Sequence, residues 1–224
     1  MGSERDAVKA KIVEATIACI EKGGISSVTA RSVAKEAGVN VASINYYFGT
    51  KENLLEETFK TTLEHFSFDM HDLLSLTELH SHSLLKVFFS FLMEGIQHYP
   101  RLVQALIFNE KIAPKYRNTF LRHFSSTIEV LVGRILQENP MCTPQEATTR
   151  VLQMLYAVLS TGLPFQIGSL VGCDLGNAEQ REYYLDLLLS RYIDWIPPER
   201  IEAQRNLVKE QIRKLFESRY AEHA

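Results

Sequence analysis

A short run of neutral polar side chains between residues 41 and 48 offers hydrogen bonds rather than catalytic groups. The run reads VASINYYF, and its Ile44 and Phe48 stand four residues apart, so they share one face of a helix. The opposite face has the small or hydrogen-bonding residues Ala42, Ser43, Asn45, Tyr46 and Tyr47. An asparagine side chain suits the N6 and N7 edge of adenine in the major groove of DNA, and tyrosine hydroxyls can donate to phosphates. The pattern therefore predicts a helix that reads base edges.

Local signals on both sides predict the helices that hold this run in place. Upstream, a stripe of small apolar residues at helical spacing predicts a short helix; it consists of Ala30, Val33, Ala34 and Ala37. Thr29 suits the N-cap of that helix. Gly38 is predicted to end it, because glycine reaches positive φ without strain, and Asn40 is predicted to cap the next helix. Downstream, Thr50 caps a third helix, whose first turn with Lys51 can hold a phosphate. The result is a helix-turn-helix unit.

Several motif elements fall in order at the spacing of one known domain: Thr29-Ala30-Arg31, Ala37-Gly38-Val39, Ile44-Asn45-Tyr46-Tyr47-Phe48 and Gly49-Thr50-Lys51-Glu52-Asn53-Leu54. They resemble the DNA-binding domain of the TetR family of transcriptional regulators, and the resemblance covers residues 5 to 60. It implies a homodimer that binds a palindromic operator in double-stranded DNA, usually as a repressor that a small ligand in the C-terminal domain releases. An alternative interpretation is a well-capped helical hairpin within an all-α protein.

By motif position, the resemblance also implies which residues contact DNA. They are Thr29 and Arg31 on the first of these helices, Val41, Ala42, Ser43 and Asn45 facing bases, and Tyr46, Tyr47 and Lys51 holding phosphates. Two features depart from the family pattern: Asn45 stands where an aromatic residue is more common, and Val41 and Ala42 bring few polar groups. Base readout would then depend on Arg31, Asn45 and contacts with thymine methyl groups. Tyr46 or Tyr47 could instead be a core aromatic residue.

The composition is that of an ordinary globular protein. The chain has 224 residues, of which 46% are hydrophobic and 23% charged, with a formal net charge of -3. Residues 1–60 contain eight cations and eight anions, so this region is neutral and its attraction for phosphates depends on placement. We expect Lys9, Lys11, Arg31 and Lys51 to share one face, and nonspecific affinity for DNA to be modest.

The three cysteines predict neither a disulfide framework nor a zinc site. Cys19, Cys142 and Cys173 lack C-x-x-C spacing, and the chain does not begin with the charged and apolar regions of a secretion signal. Reduced cysteines in the cytoplasm fit this pattern, and Cys19 falls on the apolar stripe of the first helix, which predicts a core position. Residues 151–173 have no charged side chain, but their Gln, Ser, Gly and Pro residues favour a helix buried between subunits over a membrane span.

Apolar periodicity and helix breakers predict an all-α chain in two domains. The first, residues 1–50, is a three-helix helix-turn-helix DNA-binding domain, and a helix continues from residue 50 to about 74. The second, residues 51–224, is a larger helical ligand-sensing and dimerisation domain. Its further predicted helices cover residues 84–99, 101–112, 115–138, 144–162, 179–196 and 199–220. The helix that begins after Thr143 and the helix over 179–196 are expected to form a two-fold, four-helix dimer interface.

Histidines cluster in and before the weakly patterned stretch 75–83. His80 and His82 lie in it, while His65 lies upstream with Asp69 one turn later, so metal binding is conceivable. No second pair of ligands shares that spacing. We therefore expect solvated histidines and no metal site.

Aromatic residues are concentrated after residue 59 and predict an apolar pocket between helices. The residues expected to line it are Phe88, Phe91, Tyr99, Phe108, Tyr116, Phe120, Phe124 and Met154. The occupant would be a small apolar or aromatic ligand, and no cofactor is expected. The alternative is that these side chains are simply core, as most aromatic stripes at helical spacing are.

No catalytic site is predicted. The sequence contains no G-x-G-x-x-G, G-x-x-x-x-G-K, G-x-S-x-G or H-E-x-x-H motif. The interpretation is a homodimeric, ligand-responsive repressor of transcription. An activator of the same architecture is an alternative, as is an all-helical enzyme or transport protein that kept a helix-turn-helix.

Overall fold

A computed structural model describes residues 2–108, 114–163 and 172–220. Its helices are α1 Gly2–Gly23, α2 Ala30–Ala37, α3 Val41–Phe48, α4 Lys51–Leu74, α5 Ser81–His98, α6 Pro100–Phe108, α7 Pro114–Glu138, α8 Pro144–Leu159, α9 Ala178–Tyr192, α10 Pro198–Ala203 and α11 Arg205–Tyr220. Short 3₁₀ turns follow α1 and α8. The described residues contain no strand, which confirms the all-α prediction.

The described residues form two compact units, one from residues up to 66 and 99–121, the other from 67–98 and 122 onward. Helix α4 begins at Lys51, as predicted, and contributes residues to both units. The domain boundary near residue 50 stays a prediction. Within the described residues, none of the helices has the length and apolar character needed to cross a membrane.

The core of the first unit joins α1 to α2, α3, the start of α4 and α6. Helix α1 supplies buried Ile12 and Cys19, so the predicted core position of Cys19 is confirmed. Helix α6 adds Leu102 and Ala105, and the Glu21 carboxylate caps it by accepting the Leu102 N–H at 2.7 Å. Burial raises the pKa of the Glu21 carboxyl although this N–H donor opposes the shift.

The second unit is built around α5, most of whose side chains are buried. Helices α8, α9 and α11 all pack against it. The tail differs from the predicted single helix over 199–220, because the chain breaks at Gln204 between α10 and α11. The Gln204 side chain accepts the His80 N–H at 3.1 Å and donates to the Glu78 carbonyl at 2.8 Å. These bonds to a distant loop hold the break in place.

The prediction that the histidines of residues 75–83 are solvated is wrong for His80 and His82, which are 7% and 4% exposed. His80 lies just before α5 and accepts the Ser83 N–H at Nδ1, a 3.2 Å contact that caps the helix. Its Nε2 lies 3.1 Å from the Arg200 carbonyl, to which it donates. The prediction fails because the residues that cover this stretch lie far away in the sequence, on α7 and at positions 200 and 204.

Helix α5 begins at Ser81 rather than at the predicted residue 84, and a carboxylate from α7 explains why. Glu138 accepts the Ser81 N–H and hydroxyl, each at 2.8 Å in its shorter contact. A negative charge at a helix N-terminus is stabilising because free N–H groups and the helix dipole point at it. Helix α9 ends at Tyr192 instead of the predicted residue 196, so Trp195 lies beyond it.

Candidate nucleic-acid interface

The joint between α2 and α3 has the capping geometry that the sequence predicts. Thr29 Oγ1 accepts the Ser32 N–H at 3.0 Å, and Ser32 Oγ accepts the Thr29 N–H at 2.9 Å, which closes a reciprocal capping box. Gly38 has φ of 61°, where a side chain would be strained. Asn40 Oδ1 then accepts the Ala42 N–H at 2.9 Å and starts α3. These caps fix the angle at which α3 leaves α2.

Helix α3 buries one face and presents the other to solvent. Ile44 and Phe48 belong to the core of the first unit at 4% and 7% exposure. The outward residues are Val41, Ala42, Asn45 and Tyr46, whereas Ser43 and Tyr47 are half-buried. Tyr46 is 70% exposed, so its phenol is available to a partner, while Tyr47 packs partly against the core. The surface that α3 offers is thus neutral and rich in hydrogen-bonding groups.

Three predicted contacts flank this surface at the starts of α2 and α4. Thr29 and Arg31 are exposed at the beginning of α2, and no ion pair involving Arg31 is described. Lys51 is half-buried at the start of α4, where its Nζ donates to the Ile25 carbonyl at 3.1 Å. That bond leaves other N–H groups of the ammonium for a phosphate and fixes its position. Thr50 caps α4 as predicted, since its Oγ1 accepts the Asn53 N–H at 3.1 Å.

Arg5 is a further cation at this surface, and sequence patterns give no signal for it. Its guanidinium carbon lies 5.7 Å from the ring centroid of Tyr46 and 6.0 Å from that of Tyr47. The two rings meet edge to face at 5.0 Å. Contacts of this kind contribute about 0.5–1 kcal/mol at exposed sites. Their larger effect is to place a permanent positive charge beside the exposed phenol of Tyr46.

Two further lysines of the first unit differ in whether a carboxylate pairs with them. Lys11 is exposed, with Nζ 3.9 Å from where a Cβ on Gly38 would lie, so it stands at the joint between α2 and α3. Lys22 instead pairs with Glu36 at 2.6 Å. Arg5 and Lys11 therefore lie beside α3 and its joint with α2, and neither has an ion pair among those that the structure describes.

The predicted ligand-pocket residues are distributed over both units. Phe88, Phe91, Phe124 and Met154 are buried in the second unit. Tyr99 packs against the core of the first unit instead. The side chains of Phe108, Tyr116 and Phe120 lie outside the described residues. Tyr156, next to the predicted lining, is 65% exposed. A pocket made of these aromatic residues stays a prediction.

A metal centre finds no support in the residues that the structure describes. No three or more of their His, Cys, Asp and Glu side chains are grouped so as to hold a metal ion. His80 and His82 lie side by side with ring centroids 6.1 Å apart, but His80 uses both ring nitrogens on backbone groups.

Comparison with known proteins points to the same part of the chain. The family model described as bacterial regulatory proteins, tetR family, matches residues 12–58. The HTH-type transcriptional regulator BetI of Vibrio campbellii is 36% identical over 74 residues, which make up 33% of this chain and 37% of that protein. The chain therefore aligns with about a third of the length of the curated relatives that it matches.

Two solved structures resemble the chain over most of its length. A transcriptional regulator from a Rhodococcus species has a TM-score of 0.67 and 21% identity, covering 84% of this chain and 99% of that one. The transcriptional regulator FadR from Bacillus subtilis, solved in complex with stearoyl-CoA, has a TM-score of 0.57 and 18% identity, covering 81% and 97%. At these identities the likeness concerns the fold.

Proposed function

We propose that the chain, whose residues 12–58 match the model of the tetR family of bacterial regulatory proteins, is a homodimeric transcriptional repressor that binds a palindromic operator. The observation that carries the proposal is the outward, neutral face of α3. It is held by the buried Ile44 and Phe48 and flanked by the cations Arg5 and Lys51. Acting on bacterial DNA, the protein would work in the cytoplasm.

The proposed contacts divide into base readers and phosphate anchors. A major groove about 12 Å wide admits a helix such as α3, and Asn45 can pair with adenine while Val41 and Ala42 contact thymine methyl groups. Arg31 at the start of α2 is the second polar base reader. Tyr46, Tyr47, Lys51 and the start of α4 would hold phosphates, which fixes register without reading sequence. Thr29 and Ser43 contribute hydroxyl groups at the edge of this surface.

Selection of bound duplexes from a random pool tests the function as a whole. We expect a palindrome whose half-sites lie one turn of DNA, about 34–36 Å, or a multiple of it apart. Binding should weaken as salt rises, because phosphate contacts release counterions. A pool that returns no sequence preference at low salt would contradict the proposal. Recovery of single half-sites would keep DNA binding but contradict the dimer.

The dimer surface is proposed on α8 and α9. The exposed row along α8 consists of the uncharged residues Gln145, Thr149, Gln153 and Tyr156, and exposed Ser160 follows just past the end of the helix. On α9, Tyr183 and Leu187 are 70% and 49% exposed and four residues apart. The Tyr184 hydroxyl donates to the Ala157 carbonyl at 3.1 Å and ties the two helices together. Exposed apolar groups concentrated on two adjacent helices are typical of a protein interface.

Replacing Leu187 by glutamate tests this surface. A carboxylate buried between subunits without a partner costs several kcal/mol, so we expect the dimer dissociation constant to rise about a hundredfold or more. Sedimentation velocity at micromolar concentration should then report mainly monomer. Val130→Glu is the matched control, because Val130 is also an exposed apolar residue, at 42%, but lies on α7. A Leu187→Glu protein that sediments like the parent would contradict this interface.

A small molecule bound in the second unit is the proposed signal for release from DNA. The buried aromatic residues Phe88, Phe91 and Phe124 together with Met154 are the side chains we assign to an apolar pocket. FadR from Bacillus subtilis, a neighbour in fold, was solved with stearoyl-CoA, which supports a ligand-binding role for the helical second unit.

A further inference from the structure

A row of polar side chains runs along one face of α5, a helix whose central residues are otherwise mostly apolar. His82, Lys86, Ser90 and Glu94 are spaced four residues apart and so lie along one line. This line is not a solvated face, because His82 is 4% exposed and the side chains of Lys86 and Glu94 are 14% and 23% exposed. Polar groups kept at this depth need partners.

The row forms the floor of a groove whose walls are α9 and α11. Both helices pack against α5, and the space between them is a cavity of about 750 Å³. Cavities that hold small molecules measure about 300–1,000 Å³. Apolar side chains complete the surface: Met93 on the floor, Leu185 on α9, and Val208 and Ile212 on α11. The groove therefore combines an apolar surface with a line of polar groups.

Lys86 supplies a positive charge in the floor. Its Nζ lies 2.6 Å from Asp186 and 3.4 Å from Glu182, and these two carboxylates are 45% and 51% exposed at the rim. They can turn into water, so another anion can replace them. Glu94, by contrast, already pairs with Arg181 at 2.7 Å. The α11 wall adds further cations, of which Arg205 follows the break that lies near the start of α5.

His82 is the group that lacks a partner. Among the described residues no hydrogen bond to its ring is found, and its buried Nδ1 is unsatisfied. A buried polar atom without a partner destabilises the fold, because it has lost its hydrogen bonds to water. Because burial lowers the pKa of His82 to about 4, the imidazole is neutral at pH 7 and offers one N–H and one lone pair. It stands one helical turn before Lys86 in the same groove.

We propose that this groove binds an organic anion with an apolar body, the anionic group on Lys86 beside His82 and the body against Met93, Leu185 and Val208. The anion takes the place of Asp186 and Glu182 on the Lys86 ammonium. The site is separate from the aromatic pocket assigned above, since none of those aromatic residues lines it. Binding does not depend on the proposed DNA-binding function; only a role in releasing DNA would rest on it.

The test uses the full chain without DNA and the fluorescent probe 8-anilinonaphthalene-1-sulfonate, an aromatic body with one anionic group. Two competitors share one carbon skeleton: 4-phenylbutyrate has a carboxylate and 4-phenylbutan-1-ol a hydroxyl. We expect the carboxylate to displace the probe at least about tenfold more effectively, as a charge-assisted contact requires. Lys86→Met should lower the affinity for the probe and for 4-phenylbutyrate by about the same factor and leave the affinity for the alcohol nearly unchanged.

Controls separate the groove from other binding surfaces. Arg213 also lines the cavity but is 65% exposed and paired with Glu217, so Arg213→Met should change affinity less than about threefold. Ser90→Trp fills the floor while keeping Lys86 and should abolish probe binding, which keeps the test valid if Lys86→Met fails to fold. Equal displacement by acid and alcohol, or full affinity in folded Lys86→Met or Ser90→Trp protein, would overturn the proposal. DNA selection is a separate measurement, so either proposal can fail alone.

Discussion

Lowering the pH from 7 to 4 is expected to reduce the free energy of unfolding by about 3 kcal/mol through His82 alone. Burial, the largest cause, and the neighbouring His80 lower the pKa of His82 from its ordinary 6.5 to about 4 in the folded protein. Between these two values the unfolded chain binds a proton at this position and the folded chain does not. The contribution of His82 to the free energy of unfolding is therefore fully present above pH 6.5, and it is lost as the pH falls towards 4.

The charges around His82 set the size of this effect. Lys86 on the same helix lowers its pKa, while Asp186 from α9 raises it. A neutral variant that keeps a polar side chain, His82→Gln, isolates the contribution, because all other titrating groups are common to both proteins. The free energy of unfolding can be measured with urea at pH 7, 5.5 and 4. Its decrease from pH 7 to pH 4 should be smaller by about 3 kcal/mol in the variant than in the unmodified protein. Parallel pH profiles for the two proteins would show that His82 titrates normally.

The sequence identifies α2, α3 and their joint because the signals there are local. Thr29, Gly38 and Asn40 each act on backbone groups within three or four residues, so their roles follow from residue type and spacing. The apolar spacing of Ile44 and Phe48 likewise determines which face of α3 is buried. The outward face, which carries the proposed function, then follows as the remainder of the same short helix.

What the sequence does not reveal depends on partners far along the chain. The stretch around His80 looks weakly patterned because the groups that bury it, Arg200 and Gln204, come from the tail. The break at Gln204 is equally invisible, since no proline or glycine marks it and its cause is a pair of hydrogen bonds to the loop before α5. At the proposed DNA-binding surface, sequence patterns do not identify Arg5 for the same reason: its contact with Tyr46 exists only after folding.

Replacing Asn45 by alanine is expected to weaken binding to the selected palindrome by about 2–6 kcal/mol. Each of the two α3 helices in the proposed dimer would lose about 1–3 kcal/mol of base discrimination. Asn45 is exposed on α3 and makes no side-chain hydrogen bond that the structure describes, so the change leaves the fold intact. Titration of a labelled operator by fluorescence anisotropy measures the loss. The same titration on an operator altered at the adenine facing Asn45 should show little further loss in the variant.

Tyr46→Phe is the matched control, because it removes only one exposed hydroxyl, next to Asn45 on the same helix. If that hydroxyl holds a phosphate, the variant should bind every duplex more weakly, by about 0.5–1.5 kcal/mol per subunit. It should keep the sequence preference of the unmodified protein. Asn45→Ala must do the opposite and lose preference along with affinity. If Asn45→Ala lowers the affinity for operator and for unrelated DNA equally, Asn45 contacts the phosphate backbone and not the bases. Base recognition would then depend on Arg31 and on apolar contacts from Val41 and Ala42.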